Sequence, residues 1–256
     1  MNMRERSDSP ASLARRWTAE AVGTAFLLAT VVGSGIMGER LAGGNVAIAL
    51  LANAIGTGAG LLTLILTFGP ISGAHFNPAV TVSDAALSGM PWGEAAIYVT
   101  AQLVGAFAGV ALAHGMFGLP VFFASEHVRS GWTQVLGEAV ATFGLLAVIR
   151  GCVRHRPDTV AFAVAAYITS AYWFTSSTSF ANPAVTLARA ASNTFAGIRP
   201  ADVPGFLVGQ ASGALAATVL FRWLLPSASR VAPAVVLPHP SRHPDGSAVE
   251  VSDGAK

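Results

Sequence analysis

Charge is what this chain has least of. Of its 256 residues, 11% are Asp, Glu, Lys or Arg while 53% are hydrophobic, and a soluble domain ordinarily carries about a quarter charged residues. Cysteine is almost missing: Cys152 stands alone between Arg150 and Arg154, which excludes an intrachain disulfide, leaves the redox compartment open and reads as structural filler. No nucleophile sits beside a base, no histidines or carboxylates fall at metal-ligand spacing and no phosphate-binding loop is present. An enzyme is therefore the least expected class, and no cofactor or metal is expected. Strict alternation of apolar and polar residues is also lacking, as in Leu61-Leu-Thr-Leu-Ile-Leu66, so barrel strands are excluded as well.

What is present is long apolar blocks. Mean hydropathy is +0.57, and six blocks, 17–37, 46–68, 92–114, 132–150, 159–175 and 203–225, have the length that crosses a hydrocarbon core of about 30 Å as helix. The net charge of +2 and the isoelectric point near 9.1 could suggest nucleic acid. The basic residues lie at block ends, however, where the bilayer explains them, so the expected partner is lipid and no nucleic acid. Residues 1–16 are polar and arginine-rich and read as a disordered arm. The apolar run after them continues past Val32 without a small-residue cleavage site, so it reads as a retained helix. Residues 226–256, rich in Pro, Ser and His, read as a tail that cannot bury a core. With the N-terminus inside, Arg4, Arg6, Arg15, Arg16, Arg150, Arg154, Arg156, Arg222 and Arg230 are cytoplasmic. The outer loops then hold only Arg40, Arg129, Arg189 and Arg199, so both termini are expected to be cytoplasmic. Trp17, Trp92 and Trp132 read as interfacial anchors.

The blocks are ordered by an internal repeat. Ser72-Gly-Ala-His-Phe-Asn-Pro-Ala-Val-Thr81 recurs as Ser179-Phe-Ala-Asn-Pro-Ala-Val-Thr186; Glu20-Ala-Val-Gly-Thr matches Glu138-Ala-Val-Ala-Thr; Gln102 and Gln210 open a third matched pair. Each half (about 17–114 and 132–225) reads as a Glu-bearing helix, a second helix, an Asn-Pro-Ala segment and a Gln-bearing helix. Three crossings per half is odd, so the second half enters from the opposite face and the repeat is inverted. The segments 69–87 and 176–191 are too short to span and too apolar to be free loops. They read as re-entrant, a geometry tolerated at membrane depth where protein buries it or a wet cavity runs past it. Gly105 with Gly109, and Gly209 with Gly213, supply matched small-residue faces for close helix packing.

Asn-Pro is the start of a helix, with Asn77 and Asn182 as N-caps and Pro78 and Pro183 at the first position, where a missing N–H costs nothing. An asparagine cap keeps an NH₂ group, so each is expected to present two donors to the gap. Two half-helices meeting N-terminus to N-terminus disfavour cations there. Donors at that point and backbone carbonyls along 71–76 and 177–181 suit water, polyols and other hydroxylated neutral solutes.

On these paired boxes (Asn77, Pro78, Ala79 and Asn182, Pro183, Ala184), with both Glu and both Gln helices, the chain resembles the aquaporin and aquaglyceroporin (major intrinsic protein) family across 17–225. The resemblance implies an all-α membrane protein with six transmembrane helices and two re-entrant half-helices, a pore in each protomer and a homotetramer. In most members an Arg follows the second box; here Val185 stands there. By spacing, the remaining filter positions fall on Thr57, Ser170 and Ser179, which leaves no cation and no bulky aromatic and predicts a wider, less cation-rejecting constriction. Arg189, one turn beyond Val185, either stands in for the missing cation or merely meets the outer surface or a neighbouring carbonyl; the second reading is preferred. The stretch 172–189 resembles a bacterial subgroup associated with arsenic resistance, which implies an inner-membrane channel for arsenite (arsenious acid), a neutral trihydroxy solute, and for glycerol-like molecules. A plain water or glycerol channel is the alternative, and a proton-coupled secondary transporter using Glu20 and Glu138 is a third. The family role of those two carboxylates, holding the re-entrant backbone, is preferred. His75 reads as a vestibule residue, with a gate or pH sensor as the other option, and Gln102 and Gln210 as interhelical partners.

Overall fold

The computed structural model describes residues 11–225, which form eight α-helices. These are α1 (Leu13–Leu41), α2 (Val46–Ser72), α3 (Pro78–Ala86), α4 (Trp92–Phe117), α5 (Trp132–His155), α6 (Val160–Phe174), α7 (Pro183–Arg189) and α8 (Val203–Leu224). Five of the long ones are apolar and long enough to cross a membrane. The sixth, α6, has 15 residues, about 22 Å at 1.5 Å per residue, and is extended at its start by the 3₁₀ turn Pro157–Thr159. The predicted tail, 226–256, and residues 1–10 of the predicted arm lie outside the described residues.

Helix bounds differ from the apolar blocks where polar residues supply the reason. The first helix begins at Leu13, inside the predicted arm, because Ser12 Oγ accepts the N–H of Arg15 and Arg16 pairs with Glu94 of α4 at 2.7 Å. The second runs on through Pro70 to Ser72 and stops at Gly73, whose φ of 85° ends the helix in a left-handed cap.

The two halves are built alike. Within each, the Glu helix crosses the Gln helix at matched glycines: a Cβ on Gly105 would sit inside the shell of the Ala21 carbonyl, and one on Gly213 inside that of Ala139. Backbones in this contact touch without side chains between them. Gly213→Val must therefore push α8 off α5. We expect a sharp loss of monodisperse protein in detergent and a lower melting temperature, while Gly115→Val, at an open site, leaves both unchanged. The connection between the halves, 118–131, folds back over the segment after α7, where Phe123 and Ser192 form a parallel bridge.

Candidate functional site

The two half-helices begin as the sequence predicts. Asn77 and Asn182 have extended backbones (φ −155° and −156°) and precede Pro78 and Pro183 at the first helical turn. Asn77 Oδ1 accepts the N–H of Ala79 at 2.9 Å, and Asn182 Oδ1 accepts those of Ala184 at 3.0 Å and Val185 at 3.3 Å. The amide groups are used differently from the expectation. Asn77 Nδ2 donates to the carbonyl of Ala181 at 2.7 Å and Asn182 Nδ2 to that of Phe76 at 2.8 Å. Each cap thus spends one hydrogen on tying its half to the other and keeps one, not two, for a solute.

Ahead of each cap the backbone is strained in the same way. Ala74 and Phe76 have φ of 47° and 48°, and their counterparts Ser179 and Ala181 have 52° and 49°. Left-handed non-glycine residues cost about 1–3 kcal/mol each and persist only where the surroundings over-determine them. Glu20 and Glu138 do so. Glu20, buried on α1, accepts the N–H groups of His75 at 3.0 Å and Phe76 at 2.8 Å and the hydroxyl of Ser72 at 2.7 Å. Glu138, buried on α5, accepts those of Phe180 at 2.9 Å and Ala181 at 2.8 Å. Gln102 Nε2 links Glu20 to Thr81 Oγ1, and Gln210 Nε2 links Glu138 to Thr186 Oγ1. Both carboxylates are thus anchors of the re-entrant backbone, and neither lines the cavity.

That cavity runs past both boxes. The long helices contribute mostly apolar lining, Leu27, Leu61, Leu145 and Ile168 among others, and the re-entrant segments contribute His75, Asn77, Ser179 and Asn182. His75 is therefore a lining residue, with its Nδ1 3.0 Å from Thr81 Oγ1. Ser179 Oγ is buried and has no protein partner among the described residues. The cavity is an amphipathic lane, offering apolar side chains to carbon–hydrogen surface and polar groups to hydroxyls.

Of the four predicted filter positions, Thr57, Ser179 and Val185 line the cavity. Ser170 does not. It is exposed on the far side of α6, where its hydroxyl donates to the Tyr167 carbonyl, because the lining face of that helix recurs every four residues at Val164, Ile168 and Tyr172. Two residues past Ile168 is about 200° around the helix. Tyr172 lines the cavity from α6 instead, its hydroxyl 3.1 Å from Thr57 Oγ1, so an aromatic does stand beside the predicted positions. The four-residue apolar spacing in α6 is the signal that would have found it.

A cation is also present. Arg189 is 1% exposed and lines the cavity. Its Nε donates to the Ala196 carbonyl, its guanidinium lies 3.3 Å from the centroid of the Phe180 ring, and Tyr172 is a further side-chain partner. The neighbouring carbonyl of the preferred reading is there, but the outer surface is not: segment 190–198 covers the side chain, with Ser192 and Ile198 N–H groups both donating to the Arg189 carbonyl. Among the described residues no group of acidic, histidine or cysteine side chains could hold a metal ion.

Comparison with known proteins agrees with this fold. Residues 7–159 match the model of the family described as major intrinsic protein. Over 213 residues the chain is 54% identical to aquaglyceroporin AqpS of Rhizobium meliloti (strain 1021), covering 83% of this chain and 91% of that one. It is 38% identical over 101 residues to the probable aquaporin NIP7-1 of Arabidopsis thaliana, covering 40% and 36%. In fold it is similar to the X-ray structure of the aquaglyceroporin from Plasmodium falciparum, with a TM-score of 0.60 and 21% identity over 86% of this chain and 97% of that one.

Proposed function

Since this chain belongs to the major intrinsic protein family, and is thus a membrane channel for small solutes such as glycerol and not an enzyme, we propose that its solutes include arsenious acid. The observation that carries the reading is the lane itself. One spare N–H on each of Asn77 and Asn182, the unpartnered hydroxyl of Ser179 and the apolar side chains of the long helices together suit a neutral molecule with several hydroxyls and no charge. Arsenious acid and glycerol share that display. Val185, where relatives with narrow filters carry Arg, supports passage of both. In this reading Thr57, Tyr172, Ser179, Val185 and Arg189 form the outer constriction, and the face bearing 118–131 is external. The arginine asymmetry then supports cytoplasmic termini in a bacterial inner membrane, a channel domain from Leu13 to 225, and a homotetramer with one pore per protomer. A proton-coupled transporter is disfavoured because Glu20 and Glu138 are saturated by hydrogen bonds away from the lane.

Stopped-flow light scattering on proteoliposomes tests this. Arsenious acid and glycerol are expected to enter severalfold faster than into empty vesicles, without saturation and without dependence on a proton gradient. No arsenite flux above empty vesicles would overturn the arsenite reading, and saturable flux that collapses with the gradient would favour the transporter.

A further inference from the structure

The connection between the halves brings a second arginine to the re-entrant segment beside Phe180. Along 123–126 it is fastened to the segment after α7, with Phe123 N–H donating to the Ala191 carbonyl at 3.1 Å, Ser125 N–H to that of Ala190 at 3.0 Å and Glu126 N–H to Asn193 Oδ1 at 3.0 Å. It then turns inward at Arg129, whose backbone N–H donates to Asp202 Oδ2 at 2.8 Å. The side chain reaches the second re-entrant segment: Nε donates to the Gly197 carbonyl at 2.8 Å, and Nη1 to the Ser177 carbonyl at 3.4 Å and Thr178 Oγ1 at 3.3 Å. This places its guanidinium carbon 5.1 Å from the centroid of Phe180, the same ring on which Arg189 lies.

The two cations are thus no further apart than the sum of their distances to that ring, on the order of the ~8 Å Debye length of a physiological solution. Counter-charge is thin. Asp202 is engaged by Arg199 through Oδ1 and by the Arg129 backbone through Oδ2. Glu138 acts on both guanidiniums from a distance, but its oxygens are taken by Phe180, Ala181 and Gln210. Burial pushes Arg129 down to about 10, opposed by Tyr172 and Glu138, so it is protonated throughout the neutral range.

We infer that Arg129 is a second specificity-determining cation of the outer constriction, acting with Arg189 beside Phe180 to turn cations away while neutral solutes pass. The inference rests on the pore reading above. A neutral solute feels little of this field; an approaching cation meets two positive charges against one buried carboxylate. The charge that Val185 omits is supplied twice, once from a turn further along α7 and once from the connection between the halves.

The test uses the full chain in proteoliposomes, reading proton or K⁺ leak under an imposed diffusion potential alongside glycerol flux in the same vesicles. Arg129→Gln is expected to raise the ratio of leak to glycerol flux about tenfold or more, the size of one unit charge acting over ~8 Å at an effective dielectric near 20. Arg129→Gln combined with Arg189→Gln should leak more than either alone, and Arg129→Lys, which keeps the charge, should stay near the parent. If Arg129 were only a strap, Lys would be as damaging as Gln, since an ammonium cannot reproduce the forked contacts; that result, or an unchanged ratio in Arg129→Gln, overturns the inference. Should Arg129→Gln not fold, Arg129→Cys on a Cys152→Ser background is modified in assembled channels with cationic or anionic methanethiosulfonate. Lower leak with the cationic reagent supports the inference, and equal leak overturns it. Failure of the parent protein to pass glycerol would instead count against the pore reading.

Discussion

Val185→Arg is expected to close the channel to glycerol and arsenious acid while water still passes. Val185 is buried in the wall of the lane, one turn before Arg189 on α7. An arginine there would put another guanidinium into a passage that Arg189 already lines, beside the Thr57 and Tyr172 hydroxyls. Large-solute flux should fall at least about tenfold, which corresponds to ~1.4 kcal/mol of added barrier. Water, smaller and able to use either guanidinium as donor, should lose far less. Val185→Leu separates bulk from charge, for it fills volume without adding donors. The exchange Val185→Arg with Arg189→Val goes further, moving the cation back one turn; water preference with intact cation exclusion is the expected outcome. Unchanged selectivity in Val185→Arg, measured by stopped-flow with water, glycerol and arsenite in parallel, would remove Val185 from the filter.

Removing the Glu138 carboxylate should have the largest effect on the fold. In Glu138→Leu the N–H groups of Phe180 and Ala181 lose their acceptor, and each buried, unsatisfied donor costs about 1–3 kcal/mol. The same change releases the left-handed residues Ser179 and Ala181 from the contact that holds them, and frees Gln210. Against a total stability of about 5–15 kcal/mol, such a loss should leave no osmotically active protein. Glu138→Gln keeps the shape but turns one acceptor into a donor facing donors, so flux should fall severalfold with reduced thermal stability. Wild-type passive flux in Glu138→Leu would contradict the anchoring role. Loss of gradient coupling alone, with stability intact, would restore the proton-relay reading.

What the residues disclosed on their own was the local and duplicated part of the structure. Asn-Pro names a helix start wherever it occurs, because the cap bond and the missing N–H act within three residues, and two copies at matched places imply the inverted halves. The matched glycines could be read for the same reason. Ser170 was misplaced because it was located by counting from the boxes, whereas the face of a helix is set by its own period, which in α6 selects Val164, Ile168 and Tyr172. The paired donors of each asparagine were overcounted because the acceptors that use one of them, the carbonyls of Ala181 and Phe76, lie more than a hundred positions away in the chain. For Arg189 and Arg129 the outer segment was legible, and for Arg189 a neighbouring carbonyl, but not the burial of either side chain. Whether an arginine near a membrane edge faces solvent or lies buried depends on how the segments 118–131 and 190–198 fold over it, and neither carries a periodic pattern.

The crossed amide bonds also bear on how the protein is made. Asn77 waits on Ala181, and the carbonyl of Phe76 waits on Asn182, partners separated by 104 and 106 positions. At a ribosomal rate of about 5–20 residues per second, roughly 5–20 s pass between synthesis of the first box and synthesis of the second. During that interval the first half sits in the bilayer with a donor and an acceptor that only the unfinished half can satisfy. The solute path consequently cannot close before the second box is made. A nascent chain arrested before residue 181 holds half of each crossed pair and no lane.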